Sequence, residues 1–420
     1  MVFQPQTRDF AMTHGIVRRT TLVLFSLVTG ATMAQNEPTE AAGVVPACPY
    51  KMEQTLIRKE VPGKGNWFQP RPAAIPNPDG VPTVIMTVQK SLPGASDYFS
   101  GFSVTRTDDL GDTWTDPAAP DALAWRTTED GITVGNCDYT LGWHKPTGKI
   151  IAIGHTTRYR GNKLAYRTHG RDVAYAVYDP ETDTWQDWRV MTMPDPDRFF
   201  ICGVHGQWLV EPDGTLLVPI YFTNRKGAAT FLLKATVARC RFDGETLEFV
   251  EHGNVLEHPV RRGLYEKSIT FYDGRYYMTM RNDKRGYVSV SDDGMQFEAE
   301  KPWTFDDGSD LGSYNTQQKW VTHSDGLFLV YTRRGADNDH IMRHRAPLFI
   351  AQVNPHSLQV IRATEQIAVP EHGYAVGNFD ATTVTPNETW ITVAGGRSDT
   401  GFWVTKLLWE TPNALCGRVN

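Results

Sequence analysis

The chain has 420 residues, 40% of them hydrophobic and 21% charged, the balance of a globular protein rather than a disordered or fibrous one. A formal net charge of −6 over that length excludes a nucleic-acid coat protein. With 36 Gly, 26 Pro and 12 Trp, the composition favours many short strands joined by tight turns.

The first segment has the pattern of an export signal. Arg18 and Arg19 precede an apolar run from Leu22 to Val28, and Thr32-Met33-Ala34 reads as a small-residue cleavage site. That run is too short to span a bilayer, and no other segment resembles a membrane span. Residues 1–34 are therefore read as the signal, with Met12 as an alternative start. The mature chain would begin near Gln35, secreted or periplasmic. Five cysteines suit such a protein with at most two disulfides. Cys48 and Cys416 lie near the two ends, where a bridge would clasp a closed ring; the alternative is two buried thiols. Cys137, Cys202 and Cys240 lack metal-ligand spacing, so no metal site is expected. No organic cofactor is implied.

Beyond residue 60 the sequence repeats one unit. Hairpin turns stand at Asp79-Gly80, Thr147-Gly148, Asp213-Gly214, Asp273-Gly274, Asp325-Gly326 and Pro386-Asn387-Glu388, each followed by an apolar strand. A second turn rich in Asp, Asn, Gly or Pro follows in each of the first five units, as at Asp108-Asp109-Leu110-Gly111 and Asp292-Asp293-Gly294. The unit is strand, tight turn, strand, loop, strand, turn, strand. Six such four-stranded antiparallel sheets around an axis make an all-β, six-bladed β-propeller occupying residues 35–420 as one domain. A strand near Glu53 to Val61 would complete the last blade.

The unit also places the chemistry. With strands A to D counted outward from the axis, the start of A, the end of B and the start of C share one face. Arg71, Asp97, Asp138, His155, His205, Tyr221, Glu266, Arg281, Asn315, Gln317, Arg333, Arg345 and Asn378 fall there. The opposite face carries plain turns.

Two of the outer turns, Thr107-Asp-Asp109-Leu-Gly111-Asp-Thr113-Trp114 and Val290-Ser-Asp292-Asp-Gly294-Met-Gln-Phe297, resemble the Asp-box of sialidases and other BNR-repeat proteins. The aspartate there ties its own turn and the aromatic plugs the space between sheets, so the motif marks a fold. Laid on the sialidase layout, Arg71, Arg281 and Arg345 resemble the arginines that grip the substrate carboxylate. Asp97 looks like the acid/base and Glu266 like the glutamate that activates a tyrosine nucleophile. Where that tyrosine should stand the chain reads Gly377-Asn378-Phe379-Asp380; Tyr374 is the nearest candidate, and Tyr314 belongs to the preceding blade. The resemblance implies an exported glycosidase of exo-α-sialidase type acting on terminal acidic sugars, as a monomer without nucleic-acid partners. Arg333, Asn315 and Gln317 would add substrate contacts.

Alternatives come from the same residues. Arg281 could pair with Asp283 and Arg345 with Asp339, leaving no anion site. His155, His205 and Tyr221 offer the groups for a β-elimination on a uronic acid, with arginines neutralising its carboxylate. A propeller that binds glycan without turnover is the third reading.

Overall fold

The computed structural model describes residues 45–59, 66–94, 97–395 and 401–418. The expected export signal, and Ser96 beside Asp97, lie outside them. The regular structure is almost all strand, divided among six mainly antiparallel sheets. The hairpin turns fall where each innermost strand turns into the next. Asn66–Ile75 leads to Thr83–Ser91, Thr133–His144 to Lys149–Arg160, and Leu209–Val210 to Leu216–Thr223. Tyr265–Tyr272 leads to Arg275–Arg281, Lys319–His323 to Gly326–Tyr331, and Asp380–Thr385 to Glu388–Ala394. At Asp273-Gly274 both residues have positive φ, 47° and 79°, as a two-residue hairpin that matches the strand twist requires.

Each sheet buries apolar side chains against the next, which makes the set a β-propeller. Ile85 and Leu141 join the first and second sheets, Ile151 and Val218 the second and third, Leu217 and Ile269 the third and fourth. Tyr277 and Trp320 join the fourth and fifth, Val330 and Ile391 the fifth and last. Val84 and Trp390 bring the last sheet back against the first. Tyr50–Lys59 pairs with Gly401–Trp409, so an early strand completes the last sheet and closes the ring through backbone hydrogen bonds.

Two expectations need correction. Five sheets have four or more strands, but the first has three, Asn66–Ile75, Thr83–Ser91 and Ser103–Thr107. Where its fourth strand should run there is only an isolated bridge from Ala118 to Val104. Pro117 and Pro120 flank that bridge and remove the donors a ladder would need. The expected six four-stranded blades are therefore five. The second correction concerns the cysteines, all of which are free thiols. Cys48 lies 3.4 Å from His323 Nδ1 in the fifth sheet, whereas Cys416 lines a small cavity with Ala73 and Thr382, so no clasp forms.

The aspartate turns bond as their chemistry dictates, with one change of register. Asp109 accepts from the Thr113 backbone N–H at 2.9 Å and its hydroxyl at 2.6 Å, and Trp114 packs against Trp390. In the fourth sheet the tying residue is Asp293, not Asp292. It accepts from the Ser291 hydroxyl and the Met295 and Gln296 N–H groups, while Asp292 turns outward to Arg275. Ser291, which also accepts from the Gly294 N–H, is the hydroxyl residue that opens this turn. No helix among the described residues is long and apolar enough to cross a membrane.

Candidate active site

One backbone device recurs where the innermost strands begin. Bulges shift the register between Phe68 and Arg71, Cys137 and Thr140, and Tyr265 and Ser268. The residues released, Gln69, Asp138 and Glu266, have φ of 53°, 53° and 45°, and Asn315, ahead of the fifth innermost strand, has 51°. Non-glycine residues pay about 1–3 kcal/mol for this left-handed backbone. A bulge re-aims a side chain, here at the mouth of the ring. In the third sheet the innermost strand is broken instead, and His205 stands in the gap between Ile201–Gly203 and Leu209–Val210.

One half of the site is built on Glu266. Arg281, at the end of the neighbouring strand, forms a close ion pair with it, stacks over the Tyr265 ring and donates to Asn315 Oδ1 at 2.5 Å. The Asn315 carbonyl accepts from Arg345 at 2.6 Å. Burial alone would raise Glu266, but Arg281, His205 and Arg345 outweigh it and hold the carboxyl at about 2. Arg345 is 7% exposed, and among the described residues it has no carboxylate within ion-pair distance. Burial, with Arg281 beside it, pushes Arg345 down to about 9. A guanidinium does not readily shed its proton, so this shift registers a missing counter-charge. Gly377 allows the arrangement: a Cβ there would lie 2.5 Å from Arg345 Cδ.

The other half is built on Asp138. Its carboxylate lies 2.6 Å from His205 Nε2 and 3.6 Å from the Arg71 guanidinium, and Arg71 also donates to the Phe379 carbonyl at 2.5 Å. Burial opposes the charge on Asp138, yet His205, His155 and Arg71 hold the carboxyl well below its usual range. His205 stacks on His155 with ring centroids 4.2 Å apart, and its Nδ1 is buried without a partner. Burial, then Arg171 and His205, keeps His155 far below its ordinary value and therefore neutral. Its Nδ1 lies 3.2 Å from the Val204 carbonyl. The Tyr221 hydroxyl accepts from Arg171 at 2.8 Å, and burial raises its pKa against that pull. A side chain at Gly203 would collide with this hydroxyl.

The remaining residues divide. Gln317 donates to the Phe379 carbonyl at 2.9 Å, beneath the mouth. Asp97 is exposed at the rim, has φ 59°, and its carbonyl accepts from the Tyr159 hydroxyl at 2.8 Å. Arg333 is not part of the cluster; Glu365 holds it through Nε at 2.8 Å and Nη2 at 2.7 Å. Tyr374 packs in the core between the fifth and last sheets, with its ring 5.9 Å from His372. Phe379 is fully buried and Asn378 half-buried at the entry of the last sheet. The local pairings weighed above do not occur: Asp283 goes to Arg262 and Tyr265, and Asp339 to His344. Tyr314 bonds His344 as well, at 2.6 Å.

Sequence reasoning passed over Arg171. It stands two residues before Val173–Asp179, the third strand outward in its sheet, so the rule that found Arg345 also reaches it. It missed as well that Cys137, Asp138 and His155 bring ligand atoms within 4.8 Å of one another. The donor set would suit zinc, but Arg71 beside Asp138 and Arg171 beside His155 oppose a dication there. On the opposite face a cleft of about 600 Å³ is lined by His144, Asp213 and Arg241. Its polar groups are already engaged, His144 with Thr147 and Gly214 and Arg241 with Glu248.

No protein-family model and no curated protein sequence matches this chain. Solved structures do. A Hadza microbial sialidase superposes with a TM-score of 0.60 at 13% identity, over 85% of this chain and 68% of that one. The NanB sialidase of Streptococcus pneumoniae gives 0.56 at 12%, over 85% and 70%. A Dyadobacter fermentans protein of unknown function gives 0.60 at 13%, over 85% and 98%. At such identities the likeness speaks for the backbone alone, and it is the backbone of the sialidase propellers.

Proposed function

We propose that the protein is an exported sialidase-like glycoside hydrolase that takes an acidic sugar at the mouth of the ring. The observation that carries this reading is Arg345. It is a buried guanidinium with no carboxylate partner among the described residues, tied through Asn315 to Arg281 and Glu266. A planar carboxylate is the natural complement of such a fork. Arg345 and Arg281 would bind it, with Arg71 and Gln317 bracing the site from beneath. Asp97 on the rim would protonate the leaving oxygen. Glu266 remains a carboxylate at working pH and so would orient and polarise the attacking group rather than store its proton. With Phe379 buried where the tyrosine is expected and Tyr374 packed in the core, that group would be a water. Direct attack by water gives inversion.

A second reading is supported by the Asp138–His205 pair, a carboxylate 2.6 Å from an imidazole nitrogen at the mouth. In a uronate lyase the arginines would neutralise the carboxylate, His205 would take the C5 proton, and the C4–O bond would break as the C4=C5 double bond forms, with the departing oxygen taking a proton from Tyr221. Incubation of the purified protein with sialosides and with uronic-acid oligosaccharides separates the two. Free sialic acid supports hydrolysis, ultraviolet absorbance from an unsaturated uronate supports elimination, and binding without product refutes both. Hydrolysis further requires that Asp97→Asn and Glu266→Gln lose turnover while folded; wild-type rates would overturn the assignments.

A further inference from the structure

The two halves of the mouth carry unequal charge. Four guanidinium groups, Arg71, Arg171, Arg281 and Arg345, face two carboxylates, Asp138 and Glu266. The nearby Lys319 is already matched by Asp380 at 2.9 Å and leaves the difference unchanged. Arg71 and Arg281 take the two carboxylates, so the surplus falls on Arg345 in one half and Arg171 in the other. Arg171 Nη1 donates to the Tyr221 hydroxyl at 2.8 Å, the guanidinium covers the Tyr166 ring at 4.6 Å, and Nε is buried without a partner. Among the described residues no carboxylate lies within ion-pair distance of it; the adjacent Asp172 is paired with Arg158. An uncompensated charge is costly to hold away from water, and the mouth holds two of them, the buried Arg345 and the half-buried Arg171, so it calls for two anionic groups from outside.

We propose that Arg171, steered by Tyr221 and Tyr166, forms a second anion subsite, and that the ligand is an acidic glycan segment bearing two negative groups. The first sits at Arg345 and the second at Arg171. This rests on the reading of Arg345 as a carboxylate acceptor and extends it to the neighbouring sugar. A single terminal acid satisfies one half of the mouth; a chain of uronic acids satisfies both.

Calorimetry at neutral pH tests this with galacturonic acid, N-acetylneuraminic acid and digalacturonate as probes. The wild type should bind digalacturonate at least tenfold more tightly than either monocarboxylate. Arg171→Met should bring that ratio near one, and Arg345→Met should weaken all three probes. Circular dichroism checks folding; if Arg171→Met does not fold, Tyr221→Phe, which frees the guanidinium from its hydroxyl, should reduce the ratio severalfold. Equal affinity for one and two carboxylates in the wild type, or an undiminished ratio in the folded variants, overturns the second subsite and leaves Arg345 standing. No binding of any probe overturns both.

Discussion

Glu266→Gln isolates the charge that holds the site together. The amide keeps the size of the side chain and leaves Arg281 buried without its counter-ion. The folded protein holds Glu266 at about 2 against an ordinary 4.5. At 1.36 kcal/mol per unit, that depression corresponds to about 3 kcal/mol of stability at neutral pH. Removing one partner of a buried ion pair costs about 3–5 kcal/mol by mutational precedent, so the two routes agree. Because the folded value is the lower one, the contribution is complete above pH 4.5 and disappears as the pH falls towards 2. Urea unfolding of wild type and variant reads it directly. With m near ~3 kcal/mol/M, the midpoints should differ by about 1 M at neutral pH. Near pH ~3 the difference should fall below half its neutral value, since the unfolded chain is then protonated and the folded one only partly so. Coincident midpoints at neutral pH, or a gap that does not narrow in acid, would refute the claim that Glu266 is ionised by Arg281.

The remaining expectations concern Arg345 and the thiols. Arg345→Met removes a charge-assisted contact worth about 1.5–3 kcal/mol, so carboxylate affinity measured by calorimetry should fall by roughly ten- to a hundredfold. In the wild type that affinity should hold steady from neutral pH through pH ~10, because a guanidinium keeps its proton even where burial and Arg281 disfavour its charge; a decline beginning near pH ~9 would refute this. All five cysteines should react with a thiol reagent in the urea-unfolded protein without prior reduction, and dithiothreitol should leave the melting temperature unchanged. A melting temperature that falls with reductant would show a bridge.

The turns were legible because their chemistry is local. Asp273-Gly274 declares a hairpin from two adjacent residues, and the same device set the period of the whole chain. The first sheet misled because its second turn, at Asp109, promises a returning strand that Pro117 and Pro120 prevent. The fourth-sheet turn slipped by one residue because Asp292 and Asp293 are chemically alike, and only the bond from Ser291 tells them apart. For the site, Glu266, Arg281, Asn315 and Arg345 could be placed because strand order alone assigns them to one face. Their pairing could not: sequence neighbours suggested Asp283 and Asp339, and the partners chosen come from other strands and sheets. Arg333 shows the converse, since Glu365 lies in the same sheet's outer turn and captures it.

The left-handed residues explain why the site can hold so much charge. A regular strand alternates its side chains between two faces, both of which here are packed against neighbouring sheets. An acid at such a position would enter an apolar layer. The bulges at Asp138 and Glu266 break the alternation and turn each carboxylate towards the axis, where His205 and Arg281 wait. The cost, about 1–3 kcal/mol a residue, is borne by packing below, where Trp208, Trp320 and Trp390 are fully buried between sheets. The strain and the charge are thus one arrangement. A backbone held out of its preferred region by rigid packing cannot relax when a ligand arrives, so the carboxylates and guanidinium groups are already oriented, and the binding energy of an anion is not consumed in reorganising them.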